Sequence, residues 1–257
     1  MYPSATSFLQ RKQAVPDRYL ARKQTDITDN MRTILLDWLV EVHIRFKLAQ
    51  ETLFMTVHVL DRFLTTQPIT RSKLQLAGIT SMLIASKYED MYPPEVRDFI
   101  WIADNAYSRA EIISMEGLIL KCLDYNLGTP LPLHFFRRLS KATYAEAETH
   151  NLGKYLMELS VCNYNMCGFL SSEIATAAIF LAHRIMNPSG ESWSKNLEYY
   201  SGYNQAHMND CIQKMSTVLV SSVGAKQQAI RRKFASSKLL KVSELREVTN
   251  FIGAGGL

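Results

Sequence analysis

The sequence predicts an all-α protein, and three observations lead to this fold class. It has 257 residues but only 11 glycines and 8 prolines, well below the average share of roughly 12%, so few positions interrupt a helix. Apolar residues recur every three or four positions, which is the period of one helix face. The segment Ser108-Arg-Ala-Glu111 has the sequence of a capping box, in which each side chain satisfies an amide of the first helical turn.

The first half of the chain is predicted to form five helices in close succession. Asn30 is placed to cap the first of them. Pro93 and Pro94 mark the start of the fourth, because proline is tolerated at the first helical position. The capping box at Ser108 opens the fifth. The predicted helices lie at residues 31–46, 51–64, 72–88, from 93–95 onward, and 108–123.

A run of turn-forming residues, Gly128-Thr-Pro-Leu-Pro132, then breaks the pattern and is the best linker in the sequence. A second capping box is predicted at Thr143-Tyr-Ala-Glu146. Five more helices follow the linker. They are predicted at residues 133–141, 143–163, 172–186, 193–203 and 206–223.

The two groups of five helices indicate an internal duplication. A shift of 97 residues aligns Met55 with Leu152 and Asp61 with Glu158 without a gap, and it keeps apolar positions of three helices in register. The sequence therefore predicts two tandem five-helix domains. The predicted divisions are an N-terminal extension at 1–30, a first domain at 31–128, a second domain at 129–225 and a basic C-terminal segment at 226–257.

Composition excludes several classes of protein. No apolar run approaches the roughly 18 residues that a membrane-spanning helix needs, and the first 30 residues lack the apolar core of a signal peptide. The cysteines, Cys122, Cys162, Cys167 and Cys211, do not have the spacing of a zinc site, so reduced, buried thiols are expected. We therefore expect an intracellular protein.

The net charge of +5 is concentrated near the C-terminus. Six basic residues and no acidic residue lie between Gly224 and Val242, so the rest of the chain sums to −1. Such a run can contact nucleic acid or anionic lipid. Phe234 is the only aromatic residue in it, which favours a solvated or partner-facing segment.

No catalytic or cofactor-binding motif is present in the sequence. It has no Walker loop, no GxGxxG after a strand, no HExxH and no GxSxG, and Gly253-Ala-Gly-Gly256 has no helix behind it to hold a phosphate. The six histidines lack metal-ligand spacing. We therefore predict no catalytic residue, no metal site and no cofactor, and binding is favoured over catalysis.

Apolar residues cover two sides of the first predicted helix and leave a narrow polar strip that includes Glu41. One side carries Met31, Ile34, Leu35, Trp38 and Val42, and the other carries Leu36, Leu39, Val40 and Ile44. Either the helix is buried on nearly all sides as the hub of its bundle, or part of this surface is an exposed groove beside Glu41 that receives an apolar peptide. The residues alone favour the hub.

Four charged residues stand inside otherwise apolar segments. Charged side chains are seldom buried unless they pair, so Arg32 and Asp61 are predicted to form an ion pair between two helices. Lys87 and Glu116 adjoin apolar runs. These two either border an interface with another protein or simply face water.

Several motifs, taken in order, resemble those of the mitotic B-type cyclins from about residue 16 to residue 242. They are Met31-Arg-Thr-Ile-Leu-Leu-Asp-Trp-Leu-Val-Glu-Val42, Leu60-Asp-Arg-Phe-Leu64, Lys73-Leu-Gln-Leu76, Ala85-Ser-Lys-Tyr-Glu89, Tyr92-Pro-Pro-Glu-Val96 and Pro130-Leu-Pro-Leu-His-Phe-Phe-Arg-Arg138. Agreement of several ordered motifs is far more specific than any single one. The resemblance implies two tandem cyclin boxes of five helices each, which fits the duplication.

The resemblance also implies a role for the charged residues. Arg32 and Asp61 match the pair that ties the first two helices of a cyclin box together. Lys87 and Glu116 match the residues that hydrogen-bond a cyclin-dependent kinase near its C helix and activation segment. The apolar contacts around them would come from Tyr88, Leu120, Tyr125 and Leu127.

Two further surfaces follow from the same resemblance. A docking patch for short basic and hydrophobic motifs in substrates and inhibitors would consist of Met31, Ile34, Leu35, Trp38, Glu41, Leu74 and Gln75. With this resemblance, the groove interpretation of the first helix is favoured over the hub interpretation. Glu41 would then be the carboxylate that binds an Arg or Lys of the motif. A candidate phosphate pocket would consist of Arg137, His150 and Lys154, and the alternative is three unrelated surface bases.

The sequence is therefore interpreted as a regulatory subunit that binds and activates a cyclin-dependent kinase, docks its substrates and controls entry into or progress through mitosis. The expected location is nucleus and cytoplasm, without membrane or nucleic-acid partners. A cyclin-fold transcription-factor or nucleic-acid-binding module is the alternative, because of the basic run at 224–242. An all-α enzyme would need a catalytic constellation that the sequence lacks.

Overall fold

A computed structural model of the chain describes residues 13–190 and 193–257. The first twelve residues of the predicted N-terminal extension lie outside this range. The described part consists of helices and turns and contains no strand. It divides into a first unit, Val15–Thr129, and a second unit that comprises Pro130–Leu257 with Gln13 and Ala14.

The first unit contains the five predicted helices, preceded by a short helix that the sequence analysis missed. The helices are α1 (Tyr19–Lys23), α2 (Asp29–Phe46), α3 (Gln50–Thr66), α4 (Leu74–Glu89), α5 (Val96–Ile102) and α6 (Arg109–Cys122). A short 3-10 turn at Arg71–Lys73 leads into α4. Helix α4 is buried almost throughout, because apolar or small residues surround its axis, and it packs against α2, α3 and α6.

The second unit repeats this arrangement and continues beyond it. Its helices are α7 (Pro132–Ala142), α8 (Ala147–Cys162), α9 (Ser171–Met186), α10 (Lys195–Ser201), α11 (Gln205–Ser222), α12 (Ala229–Phe234) and α13 (Arg246–Gly253). Helix α9 is the buried centre and packs against α7, α8 and α11. Two tandem five-helix repeats are therefore present, as predicted.

The helix positions reproduce the offset found in the sequence. Helices α3 and α8 begin 97 residues apart, and α4 and α9 both begin and end 97 residues apart. A fixed spacing of whole supersecondary units is the signature of a duplicated fold. Positions that the offset aligns can therefore be compared directly between the two units.

Hydrogen bonds at the helix starts confirm one predicted cap and correct another. Ser108 Oγ accepts from the amide of Glu111 at 3.3 Å, and Glu111 Oε2 accepts from the amide of Ser108 at 2.8 Å, which is the predicted capping box. The prediction that Asn30 caps α2 is wrong. Thr28 does so, because its Oγ1 accepts from the amide of Met31 at 3.3 Å.

The predicted capping box at Thr143 is also wrong. Thr143 follows the last residue of α7, and its hydroxyl donates to the carbonyl oxygen of Leu139 at 2.9 Å. The next helix begins only at Ala147, after the N-cap residue Glu146. The hydroxyl is satisfied by the helix that precedes it, so it is not available to cap the helix that follows.

The segments outside the two repeats pack on them. Tyr19 and Leu20 of α1 are buried against α3 in the first unit. Phe234, Val242 and Val248 are buried in the second unit, where α13 packs against α9. The residues that flank the repeats, from 15 to 30 and from 226 to 257, therefore contribute to the hydrophobic cores.

The cysteines differ from one another in burial. Cys162 and Cys211 are buried, whereas Cys122 and Cys167 are half-buried, so the expectation of four buried thiols is correct for only two. Burial raises the pKa of the Cys211 thiol, which opposes thiolate formation. In the described part of the chain, no helix combines the length and the apolar character of a membrane span.

Candidate functional site

A surface ion pair joins α4 and α6 in the first unit. Lys87 lies in the last turn of α4, and its Nζ donates to Oε1 of Glu116 at 2.7 Å. The Lys87 side chain is 46% exposed and that of Glu116 is 17% exposed. A pair this accessible adds little stability. Both groups keep further hydrogen-bonding capacity toward a partner, since an ammonium has three donors and a carboxylate has about four acceptor sites.

Aromatic and apolar side chains adjoin this pair along the sequence. Tyr88 is 56% exposed and follows Lys87 directly, and Leu120 is half-buried one helical turn after Glu116. Tyr125, in the turn after α6, is 66% exposed. Large exposed aromatic side chains next to a charged pair are typical of protein-binding surfaces.

A glycine brings the turn after α6 to the end of α4. A Cβ placed on Gly128 would lie 3.2 Å from the Tyr88 hydroxyl, so the two segments are in close contact. Leu127, which precedes this glycine, is half-buried. The structure thus places the six predicted kinase-binding residues on α4, on α6 and in the turn that follows α6, within one unit.

The predicted docking patch is formed by α2 and the start of α4. Ile34 and Glu41 are exposed, whereas Leu35 and Leu74 are buried. The remaining members, Met31, Trp38 and Gln75, are half-buried. A Cβ on Gly78 would come within 2.9 Å of Leu35, so α2 and α4 approach closely beneath the patch.

Helix α2 has a buried side and a partly exposed side. Leu36, Leu39 and Val40 are completely buried, while Ile34 and Ile44 are 50% and 43% exposed. The helix is therefore not buried on all sides. Its exposed apolar residues lie beside the exposed carboxylate of Glu41, which is the arrangement that the groove interpretation requires.

Tyr107 orients one member of the docking patch. Its hydroxyl lies 3.2 Å from Gln75 Oε1 and donates to it, which leaves the amide nitrogen of Gln75 to face elsewhere. Burial raises the pKa of Tyr107, so the phenol remains a donor at neutral pH. The sequence analysis missed this residue because its partner lies 32 positions away and no local motif connects them.

The three residues of the candidate phosphate pocket lie near one another in the second unit. His150 Nδ1 is 2.7 Å from the Ser140 hydroxyl. Burial lowers the pKa of His150, and the nearby charges of Lys154 and Arg137 lower it further. At neutral pH the positive charge of this cluster therefore comes from Arg137 and Lys154, and protonation of His150 requires a more acidic pH than that of an ordinary histidine.

The predicted pair of Arg32 and Asp61 is present and buried. Arg32 Nε and Nη2 donate to the two carboxylate oxygens of Asp61, both at 2.7 Å, and neither side chain is more than 6% exposed. Tyr19 adds a hydrogen bond to Asp61 at 2.6 Å. This contact was not predicted, because Tyr19 is 42 residues from Asp61 in the predicted N-terminal extension.

The second unit contains a counterpart that sequence analysis also missed. Lys233 Nζ donates to both carboxylate oxygens of Glu158, at 2.7 and 2.8 Å. The Glu158 side chain is completely buried and that of Lys233 is 15% exposed. One residue of the predicted basic segment is thus engaged inside the second unit.

Two family models match nearly the whole chain. The model of the N-terminal domain of cyclins matches residues 4–128, and the model of the C-terminal domain of cyclins matches residues 130–248. The boundary between the matches falls at the Gly128–Pro132 linker.

Curated relatives are similar over most of the chain. The G2/mitotic-specific cyclin-B of Marthasterias glacialis is 50% identical over 225 residues, which are 88% of this chain and 58% of that protein. The G2/mitotic-specific cyclin-B2 of Anguilla japonica is 49% identical over 242 residues, which are 93% of this chain and 60% of that protein. The chain thus spans less than two thirds of the length of these relatives.

Two solved structures are similar in fold. A viral cyclin from herpesvirus saimiri has a TM-score of 0.71 at 21% identity, covering 82% of this chain and 94% of that chain. A chain of the yeast RNA polymerase II CTD kinase complex CTDK-1 has a TM-score of 0.70 at 9% identity, covering 96% of this chain and 82% of that chain.

Proposed function

The chain belongs to the cyclin family, and we propose that it is the regulatory subunit that binds and activates a cyclin-dependent kinase in mitosis. The single observation that carries the proposal is the exposed Lys87–Glu116 pair, with Tyr88, Leu120 and Tyr125 beside it. Half of the matched residues are identical to those of a G2/mitotic-specific cyclin-B, which supports a mitotic role.

The proposed mechanism is a shift of the kinase population toward its active form. A surface held on two packed helices, α4 and α6, is already in place before binding. It favours the kinase conformation whose C helix and activation segment fit it, and differential affinity for that conformation supplies the driving force. The cyclin chain contributes no catalytic group to phosphoryl transfer.

The proposal includes a second contact that recruits substrates. A short motif with a basic residue and apolar residues would place its cation at Glu41 and its apolar side chains against Ile34 and Trp38. Charge-assisted hydrogen bonds to a carboxylate are among the stronger polar contacts. Tethering raises the effective concentration of the phosphorylation site near the kinase.

The basic C-terminal run offers weaker support for nucleic-acid binding. Lys233 is engaged by the buried Glu158, and α12, which carries three of the basic residues, packs against α8. Nucleic-acid binding would depend on salt because each phosphate contact releases counterions. We propose protein partners, and we propose nucleus and cytoplasm as the compartments in which they are met.

The phosphate pocket is proposed as an additional docking site on the second unit. Arg137 and Lys154 would supply the positive charge near His150, and a phosphorylated residue would pair with them. Because burial and these two cations lower the pKa of His150, acidification should strengthen such binding by protonating the imidazole.

The kinase proposal is tested by mixing the chain with a monomeric cyclin-dependent kinase and measuring phosphorylation. Replacing both members of the pair, Lys87→Ala with Glu116→Ala, should lower activation roughly tenfold or more, about 1.4 kcal/mol of lost binding. The matched control removes an exposed pair of the second unit, Lys214 and Asp210, whose charged atoms are 3.0 Å apart. Full activation by the first double variant would contradict the role of Lys87 and Glu116.

The docking proposal is tested with two substrates. Trp38→Ala should weaken phosphorylation of a motif-bearing substrate by roughly tenfold and leave a short peptide without the motif unchanged. Trp101→Ala serves as the control, because Trp101 is an exposed tryptophan of the same unit outside the docking patch. Equal losses on both substrates would instead point to a structural role for Trp38 in α2.

A further inference from the structure

The turn that follows α6 has an unfavourable backbone conformation. Asp124 and Tyr125 both have positive φ, at 51° and 53°, in the left-handed region that residues with a Cβ seldom occupy. Within the turn the amide of Tyr125 donates to the Leu120 carbonyl oxygen at 2.9 Å, and that of Asp124 donates to the Lys121 carbonyl oxygen at 3.1 Å. This conformation directs the chain so that Tyr125 is exposed next to α6. Surrounding contacts must offset its cost.

A contact from another helix holds the same turn. Arg62 of α3 donates from Nη1 to the carbonyl oxygen of Asn126 at 2.7 Å, across 64 residues of sequence. The hydrogen bond reaches the residue that follows Tyr125. A hydrogen bond from a charged donor to a carbonyl oxygen is stronger than one from a neutral donor. The guanidinium remains protonated at any physiological pH.

The groups next to Arg62 leave its guanidinium available for the hydrogen bond to Asn126. Its neighbour Asp61 already accepts from Arg32 on both carboxylate oxygens and from Tyr19. His58, one helical turn before Arg62, has its pKa lowered to about 4 by burial first and by the charge of Arg62 second. The imidazole is therefore neutral at pH 7 and does not repel the guanidinium.

We infer that Arg62 is a positioning residue for the kinase-binding surface, because it anchors the turn that displays Tyr125. The inference rests on the proposed function. Arg62 acts through the Asn126 carbonyl and through Tyr125, and it makes no contact with the kinase itself. Helix α3 thereby contributes to a surface whose other predicted members lie on α4, on α6 and in the turn after α6.

A double-mutant cycle tests this inference by kinase affinity, measured calorimetrically with the full chain and a monomeric cyclin-dependent kinase. Arg62→Leu keeps much of the apolar stem and removes the donor. It should lower affinity about tenfold, equivalent to about 1.4 kcal/mol. In a chain that already carries Tyr125→Ala, the same change should lower affinity less than about twofold, because no side chain is left to position. Arg62→Lys retains a donor and should recover part of the affinity.

A second measurement reports on the turn without any kinase. Hydrogen exchange of the amides at Asn126 and Leu127 should become faster in Arg62→Leu and stay near the wild-type rate in Arg62→Lys. Arg71→Leu is the matched control, since Arg71 is an exposed arginine of the same unit that is paired with Asp26. It should leave both the exchange and the affinity unchanged. If Arg62→Leu does not fold, Arg62→Gln replaces it in the cycle, and Arg62→Lys remains the variant that keeps the charged donor.

Each outcome has a distinct meaning. Equal loss of affinity with and without Tyr125 would overturn the inference, because Arg62 would then act directly on the kinase or through the whole fold. Unchanged exchange at Asn126 and Leu127 would overturn it as well. Failure of the wild-type chain to bind any cyclin-dependent kinase would reject the proposed function, and the inference with it.

Discussion

Both units bury a carboxylate at the equivalent place in the repeat, but the neutralising cations come from different parts of the chain. Asp61 of α3 and Glu158 of α8 are 97 residues apart. Asp61 binds Arg32, from the helix before it, and Tyr19. Glu158 binds Lys233, which follows all five helices of the second repeat. The duplicated fold thus preserves the buried negative charge, while the segment that neutralises it has changed.

The two arrangements differ in the geometry and the burial of the cation. The guanidinium of Arg32 is planar and meets both oxygens of Asp61 with two parallel hydrogen bonds. The ammonium of Lys233 is a compact charge, and the Lys233 side chain is 15% exposed. Loss of the cation should therefore be more damaging in the first unit than in the second.

The largest expected effect is that of Arg32→Met in the first unit. It leaves Asp61 buried without a cation, which typically costs about 3–5 kcal/mol of unfolding free energy. Urea unfolding measures the loss, and hydrogen exchange assigns it to residues 15–129. Adding Asp61→Leu should restore much of the stability, since the uncompensated charge is then gone. A loss below about 1 kcal/mol would show that the pair is dispensable and would contradict the greater damage expected in the first unit.

The corresponding change in the second unit is Lys233→Met, with a smaller expected loss of about 2 kcal/mol. Glu158 is completely buried, but Lys233 is 15% exposed whereas Arg32 is completely buried, so removal of the lysine should open its carboxylate to water more readily. Protection from hydrogen exchange should fall in residues 130–257 and not in the first unit. A loss equal to that of Arg32→Met would show that the difference in exposure has no energetic consequence.

The same comparison explains what sequence analysis could predict. Helices α3, α4, α6, α8 and α9 were predicted to within two residues at most ends, because apolar spacing and caps such as Ser108 of α6 are local signals. The contacts of Tyr19 and Lys233 were missed, because their partners lie 42 and 75 residues away. Both residues stood in segments that were predicted to flank the domains.

Long-range packing also explains the misinterpreted cap and the missed positioning contact. Thr143 has the sequence of an N-cap, but the end of α7 takes its hydroxyl. Arg62 lies in the motif Leu60-Asp-Arg-Phe-Leu64, yet its partner is a backbone carbonyl, which has no side-chain signature in a sequence. Local patterns therefore predicted the helices, and the resemblance to B-type cyclins supplied the candidate surface residues. The contacts that hold distant segments together became visible only in the folded structure.

The smallest expected effects come from two helical glycines, and they should have opposite signs in the two units. A Cβ on Gly117 of α6 meets nothing within 4 Å, so Gly117→Ala should stabilise the first unit by about 0.5–1 kcal/mol through helix propensity. A Cβ on Gly153 of α8 would overlap the buried ring of Phe136. Overpacking costs about 1–3 kcal/mol, which exceeds the gain in propensity, so Gly153→Ala should destabilise the second unit by about 1 kcal/mol.

Chemical denaturation of the chain alone, with hydrogen exchange assigned to each unit, measures both substitutions in the same way. Gly253→Ala is the control, because its Cβ also meets open space but lies at the end of α13, where propensity counts for less. If Gly153→Ala were stabilising, Phe136 would have room to move and the close packing of α7 against α8 would not constrain the second unit. If Gly117→Ala were destabilising, α6 would be less regular than the open space around its glycine suggests.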